Sequence, residues 1–198
     1  DSGWEALNRL GVGDMARAES ITLDAITVRD MRSTATIANL DLRKSAYSSI
    51  ARGSLIHLLE AEITTIGGFK SITTNITHAV QRGPDQNWDL HIVNDDGSAF
   101  LVDALIAADG VRGFGRTYVN SLEPPKLQHR INGRIAMRAV SKATDLPKSF
   151  ALPLCNLWLG SGAHLVHYPI NGGKDVNLVL TLDSANATEG WQQEYLGH

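Results

Sequence analysis

The chain has 198 residues, 43% of them hydrophobic and 20% charged, enough for a sizeable core and ordinary for a soluble globular protein. Eighteen basic against 21 acidic residues leave a formal net charge of −3, which argues against an electrostatic nucleic-acid binder. The single cysteine, Cys155, excludes an intramolecular disulfide and a cysteine-only zinc site, and it fits a reducing, cytoplasmic setting.

In chain order, Trp4, Leu7 and Leu10 recur at helical spacing and predict a short amphipathic helix ended by Gly11. From Ile21 the period shortens. Segments 21–28 and 37–42 predict two strands joined by a turn centred on Ser33. Leu55, Leu58, Leu59 and Ile63 share one face of a predicted helix over 54–66, stopped by Gly67-Gly68. Strand signals follow at 72–80, at 88–93 and at 100–102, with Asn94-Asp95-Asp96-Gly97 as hairpin-turn chemistry. Ala104-Leu105-Ile106-Ala107-Ala108 has no polar face, the composition of a strand buried on both sides. Pro124-Pro125 marks a module boundary. Beyond it, Ile131, Gly133, Ile135, Met137 and Ala139 alternate with Arg130, Asn132, Arg134 and Arg138, predicting a strand with one wet or functional face. Three more strands are predicted at 157–159, 164–170 and 176–182. The longest apolar stretch, 99–108, is interrupted by Asp103 and far too short to span a bilayer, so no membrane partner is expected. Asp1-Ser2-Gly3 begins neither a basic n-region nor an apolar h-region, so no signal peptide is expected.

Several patches carry chemistry. Gly11-Val12-Gly13-Asp14-Met15-Ala16 has the form of a nucleotide loop but follows a helix, whereas phosphate cradling needs a strand, a tight turn and then a helix. It reads as an inter-helix loop. Asp109-Gly110 follows the apolar segment 104–108, where an Asp could accept bonds from sugar hydroxyls and a Gly would let backbone approach a bulky cofactor. A cofactor site and a plain loop both fit. The basic series Lys126, Arg130, Arg134, Arg138 and Lys142 is either a solvated strand face or a surface for an anionic small molecule. On a strand, His164 and Tyr168 share a face while His167 points the other way. His164 and His167 therefore cannot readily share a metal, and no nearby carboxylate or cysteine completes a set, so no metal site is expected. His164 with Tyr168 could address one phenolic or carboxylate ligand, or pack structurally. Cys155 reads as buried and inert.

Taken in order, Arg52-Gly53-Ser54-Leu55 opening the helix, 103–110 with Arg112 and Arg116, 133–139, and Leu157 to Pro169 resemble the flavoprotein aromatic hydroxylases. These are FAD-dependent monooxygenases of the p-hydroxybenzoate hydroxylase fold, and the later segments resemble their salicylate hydroxylase and 3-hydroxybenzoate 6-hydroxylase branch. The resemblance implies a mixed α/β fold, part of an FAD-binding Rossmann-like domain plus a mostly antiparallel β-sheet substrate domain. Residues 1–20 and 43–123 would belong to the first and 21–42 and 124–198 to the second. It implies FAD as cofactor, NAD(P)H as cosubstrate and a small aromatic acid as substrate, with a homodimer left open and no nucleic-acid partner. By position, Arg52 matches the residue contacting the ribityl–pyrophosphate region, and Asp109 and Gly110 match the Asp-Gly motif associated with FAD. His164 and Tyr168 match residues lining the aromatic pocket, where the histidine would help to deprotonate the substrate phenol.

This chain departs from the family in having Gly113 where relatives usually carry Ser, and Ala51 where many carry His. The Gly-x-Gly-x-x-Gly strand and the Gly-Asp-Ala motif would lie before Asp1 and beyond His198, so the chain resembles the middle of a longer protein. Two alternatives stay open. One is a catalytically incomplete fragment acting as a small-molecule binding module. The other is a flavin-dependent oxidoreductase of the same fold with a non-aromatic substrate.

Overall fold

A computed structural model of the chain describes residues 2–73, 75–82, 87–93, 99–102, 104–110, 112–122 and 133–183. The Asn94–Gly97 turn, the Pro124-Pro125 boundary, Lys126 and Arg130 lie outside them. The residues cluster into two units, Asp1–Phe69 with Ile131–His198, and Lys70–Arg130.

In the first unit, α1 (Ser2–Arg9) ends as the Trp4 spacing predicts, and the Gly13 end of the loop opens a second helix, α2 (Gly13–Glu19). The two-residue strands β1 (Ile21–Thr22) and β4 (Ser48–Ser49) pair with each other. Between them, β2 (Ala25–Asp30) and β3 (Thr36–Asp41) form the expected hairpin. Asp30 sets its turn: one carboxylate oxygen accepts the Arg32 and Ser33 N–H groups and the Ser33 hydroxyl at 3.0, 2.7 and 2.8 Å. These bonds hold the Asp30 carboxyl below its ordinary value, the backbone bond from Ser33 foremost.

The helix α3 (Arg52–Ile66) begins two residues earlier than its apolar spacing suggests, and Gly67 closes it by donating its N–H to the Ile63 carbonyl. Leu55, Leu58 and Leu59 are half-buried as expected, but Ile63 is exposed and no residue of α3 is fully buried.

Strands β8 (Arg134–Lys142), β9 (Leu154–Gly160), β10 (Ala163–Ile170) and β11 (Asp175–Asp183) join the hairpin in a six-stranded sheet ordered β3-β2-β9-β10-β11-β8. All its pairings are antiparallel except β2 with β9. That parallel pair joins segments far apart in sequence, something hairpin signals cannot forecast. The most buried apolar residues are Val12 and Ala16 at α2, Leu23, Ala25 and Leu42 around β2, and Ile170 and Val176 flanking the β10–β11 turn. The Ser49 hydroxyl, buried on β4, donates to the Pro169 carbonyl at 2.6 Å and ties that strand to β10.

The second unit holds the meander β5 (Asn75–Arg82), β6 (Asn87–Val93) and β7 (Ala99–Val102), followed by α4 (Phe114–Leu122). Segment 104–108, expected as a buried strand, is irregular and exposed, with Ile106 at 91%. A strand needs neighbours to take its N–H and C=O groups, and among the described residues none pairs with it. Apolar composition alone does not make a strand. Asp109 therefore follows a loop rather than a strand end.

Candidate functional site

The β10 period separates its chemistry as alternation requires. His164, Val166 and Tyr168 lie on one sheet face, and Leu165, His167 and Pro169 lie on the other. Cross-strand register extends the first face. Val166 stands between Leu157 of β9 and Val179 of β11, and Val179 pairs in turn with Arg138 of β8. On either side of this aliphatic line, His164 is flanked by Leu159 and Thr181, and Tyr168 pairs with Asn177. His164 and Tyr168 are both half-buried. The result is a flat apolar floor with an imidazole and a phenol on opposite sides and amide and hydroxyl groups beside them.

The reverse face is closed. His167, only 1% exposed, stacks on Phe150 of the 3-10 turn Lys148–Ala151 with ring centroids 4.2 Å apart. Trp158 lies 6.3 Å away on the same face, and the Arg29 guanidinium sits 5.4 Å over the Trp158 ring while its Nε donates to Asn156 Oδ1 at 3.2 Å. Burial, reinforced by the Arg29 charge, pushes the His167 imidazole down to about 4, so it is neutral near pH 7. Among the described residues, neither of its ring nitrogens nor Trp158 Nε1 has a hydrogen-bond partner. This histidine belongs to the packing of the covered face, and His164 is the one on the open face.

Arg52 is the first residue of α3 and is exposed. The helix start has no side-chain cap from Ala51 and no acidic residue in its first turn. A cation is thus added to the positive end of the helix dipole with no acidic residue in that turn to balance it, an arrangement suited to a phosphate-type ligand.

Asp109 and Gly110 stand in the second unit, ahead of α4. Asp109 Oδ2 accepts the Gly115 N–H at 2.9 Å, so the carboxylate caps the first turn of α4. Gly110 has φ of +81°, a conformation that favours glycine, and a Cβ there would meet none of the described residues within 4 Å. The absence of a side chain at Gly113 leaves room for the Asp109 carboxylate, which a Cβ there would meet as the two residues now stand.

His164 and Tyr168 thus share one face of one sheet, Arg52 heads a helix of the same unit, and Asp109-Gly110 belong to the other unit. Sequence reasoning missed Asn177 and Thr181. Their signal was available, since both are odd-numbered polar residues in the otherwise aliphatic run of β11, but only the register sets them beside Tyr168 and His164. Cys155 is half-buried and its thiol is pushed up by burial, in keeping with an unreactive side chain.

No family model matches the chain. It is 29% identical over 197 residues to 3-hydroxybenzoate 6-hydroxylase of Klebsiella oxytoca, covering 95% of this chain and 47% of that protein. It is 30% identical over 191 residues to 3-hydroxybenzoate 6-hydroxylase 1 of Aquipseudomonas alcaligenes, covering 92% and 46%. Salicylate hydroxylase of Pseudomonas putida is 24% identical over 154 residues, 73% of this chain and 34% of that one. The chain spans about half the length of the first two of these relatives. Among solved structures, Klebsiella pneumoniae HpxO complexed with FAD and uric acid superposes with a TM-score of 0.74 at 20% identity, covering 95% of this chain and 47% of that chain. A salicylate hydroxylase substrate complex gives 0.71 at 20% identity, covering 96% and 49%. These structural likenesses show the fold. The relatives carry the names to which the motif order pointed.

Proposed function

We propose that this chain carries the substrate-side sheet and part of the flavin-binding region of an FAD-dependent monooxygenase that hydroxylates a hydroxybenzoate-like aromatic acid. NAD(P)H and O2 are its cosubstrates. The observation that carries the reading is the aliphatic line Leu157, Val166 and Val179 with His164 and Tyr168 on either side of it on one face. A planar ring lies flat on such a floor, and the two flanking side chains are of the kinds that hydrogen-bond a phenol. The 3-hydroxybenzoate 6-hydroxylase and salicylate hydroxylase names of the relatives supply the substrate class.

Each unit taken by itself offers a feature that suits part of a flavin dinucleotide. In the first, the α3 N-terminus with Arg52 suits a phosphate, and in the second a Cβ at Gly110 would meet no described residue, so a group can approach the backbone there. Asp109 accepts the Gly115 N–H through Oδ2, and a carboxylate has lone pairs left for a sugar hydroxyl. When bound, FAD supplies the oxygen transfer, with electrons from NAD(P)H. The chain's own residues bind and prepare the ring. The aliphatic floor excludes water beneath it, Tyr168 orients its hydroxyl, and a ring nitrogen of His164 takes the phenolic proton, which makes the ring electron-rich.

The division into residues 1–20 with 43–123 and 21–42 with 124–198 belongs to the same proposal. It is supported by the pairing of β2 and β3 into one sheet with β8 to β11. A cytoplasmic location is supported by the single cysteine. No helix among the described residues is long and apolar enough to cross a membrane.

Titrating FAD into the purified protein, followed by visible absorbance and by quenching of flavin fluorescence, tests the reading. Saturable uptake, with NAD(P)H oxidation stimulated by 3-hydroxybenzoate or salicylate and a hydroxylated product, is expected. Absence of flavin uptake overturns it.

A further inference from the structure

The six-stranded sheet ends in two edge strands, β3 and β8, and they are built differently. β8 carries Arg134, Arg138 and Lys142 along its length, and a row of like charges repels a second copy of itself. β3 reads Thr36-Ile37-Ala38-Asn39-Leu40-Asp41, uncharged up to its last residue, and all six residues are exposed, Ile37 and Leu40 at 59% each. Its one charge is matched locally, since the two Asp41 carboxylate oxygens accept from the Arg43 guanidinium at 2.9 and 2.6 Å. The backbone of β3 is half used. Met31 donates its N–H to Leu159 on the β9 side of β2, whereas Asp30 donates to Ala35, and Leu42 to Asp24, between β2 and β3. Even-numbered residues of the hairpin therefore bond across it, and Asn39 and Asp41 turn their N–H and C=O groups outward. Among the described residues no strand pairs with that side.

We propose that β3 receives a second copy of this chain, joined edge to edge with its own β3 in an antiparallel pair about a two-fold axis at Leu40. Identical antiparallel strands close on themselves under an axis perpendicular to the sheet, and in this register β3 is complementary to itself. Leu40 stands opposite Leu40 of the second copy as a non-hydrogen-bonded pair, with about 4.5 Å between Cα atoms, where side chains meet closely. Asn39 stands opposite Asp41 of the second copy, and Asp41 opposite Asn39. Their outward N–H and C=O groups are exchanged there, and an amide faces a carboxylate. Leu40 also pairs with Ile26, and Ile26 with Cys155, on the sheet face that carries His164 and Tyr168. The axis preserves that face, so both copies open to the same side of one continuous sheet.

Sedimentation velocity of the purified protein at several concentrations tests this, and a reversible monomer–dimer equilibrium is expected. Leu40→Lys removes the leucine pair and sets two like charges against each other on the axis, so association should weaken at least about tenfold. Leu40→Glu should do the same. An equimolar mixture of the two variants should recover association, because the facing charges are then opposite, and only folded chains give that recovery. Asn39→Pro deletes an outward N–H that the hairpin does not use, and the axis doubles the loss to two bonds in each dimer. It should weaken association about ten- to a hundredfold while the far-UV circular dichroism stays that of the wild type. A wild-type protein that is monomeric at every concentration overturns the proposal. So does a dimer that persists in Leu40→Lys and Asn39→Pro, which places the interface elsewhere, or a mixture of Leu40→Lys and Leu40→Glu that stays monomeric.

Discussion

The Asp109 carboxylate occupies the volume that a Cβ on Gly113 would need, and from there its Oδ2 accepts the Gly115 N–H at 2.9 Å. The loop before α4 is folded back so that its own acid caps the helix, and a side chain at 113 would have to displace that carboxylate. The first prediction comes from this shared space. Gly113→Ala and Asp109→Ala should each cost about 1–2 kcal/mol, the first by pushing the carboxylate off the helix and the second by deleting it. In the double variant the collision is gone, so its loss should match that of Asp109→Ala alone. Urea unfolding of the three variants measures this, and fully additive losses would contradict the shared-space account.

The second prediction concerns acid stability. His167 is held neutral by burial, with its folded value near 4 against an ordinary 6.5. Between these two values the unfolded chain binds a proton that the folded chain refuses, so stability is full above about pH 7 and falls as the pH drops toward 4. The loss is on the order of 3 kcal/mol. Replacing the ring by Phe keeps the stacking on Phe150 and removes two buried nitrogens that have no partner among the described residues. His167→Phe should therefore be neutral or stabilising at pH 7 and should flatten the slope between pH 7 and 4. Chemical denaturation at four or five pH values would reveal an unchanged slope if this is wrong.

The third prediction separates the two histidines of β10 by function. In the flavin-loaded protein, His164→Ala should lower hydroxylation of 3-hydroxybenzoate by about a hundredfold, the usual lower bound for loss of a proton acceptor. It should also raise the share of NAD(P)H oxidised without product. Tyr168→Phe should produce a smaller loss in the same direction, and His167→Phe should leave the ratio of product to NAD(P)H unchanged. Product quantified against NAD(P)H consumed decides it. Unchanged coupling in His164→Ala would remove the proton-accepting role.

Helix and strand periods were legible wherever a local rule governs. α1, α3, the β2–β3 hairpin and the four strands β8 to β11 are where the spacing of Leu, Ile and Val sets them, with ends displaced by a few residues. The candidate pair His164 and Tyr168 was legible for the same reason, because a two-residue repeat is a property of the extended backbone itself. The helix α4 escaped notice because Gly113 and Gly115 interrupt the pattern at its first turn, and its start depends on an acid several residues upstream. The apolar run 104–108 misled in the opposite sense. Its composition suits a buried strand, yet strand formation is a transaction between chains of hydrogen-bonding groups, and composition cannot supply the other side.

What the amino-acid sequence by itself determined is therefore local: which residues form strands, and that His164 and Tyr168 look one way while His167 looks the other. What only the tertiary structure decided is lateral. The register of β11 against β8 pairs Asp183 with Arg134 and Asp175 with Lys142, and it leaves Arg138 opposite Val179, in line with Val166. A shift of one residue would have turned every one of these side chains to the opposite face. Pairing between strands depends on contacts distant in sequence, so a periodic pattern can state which residues share a face but not which of them become neighbours.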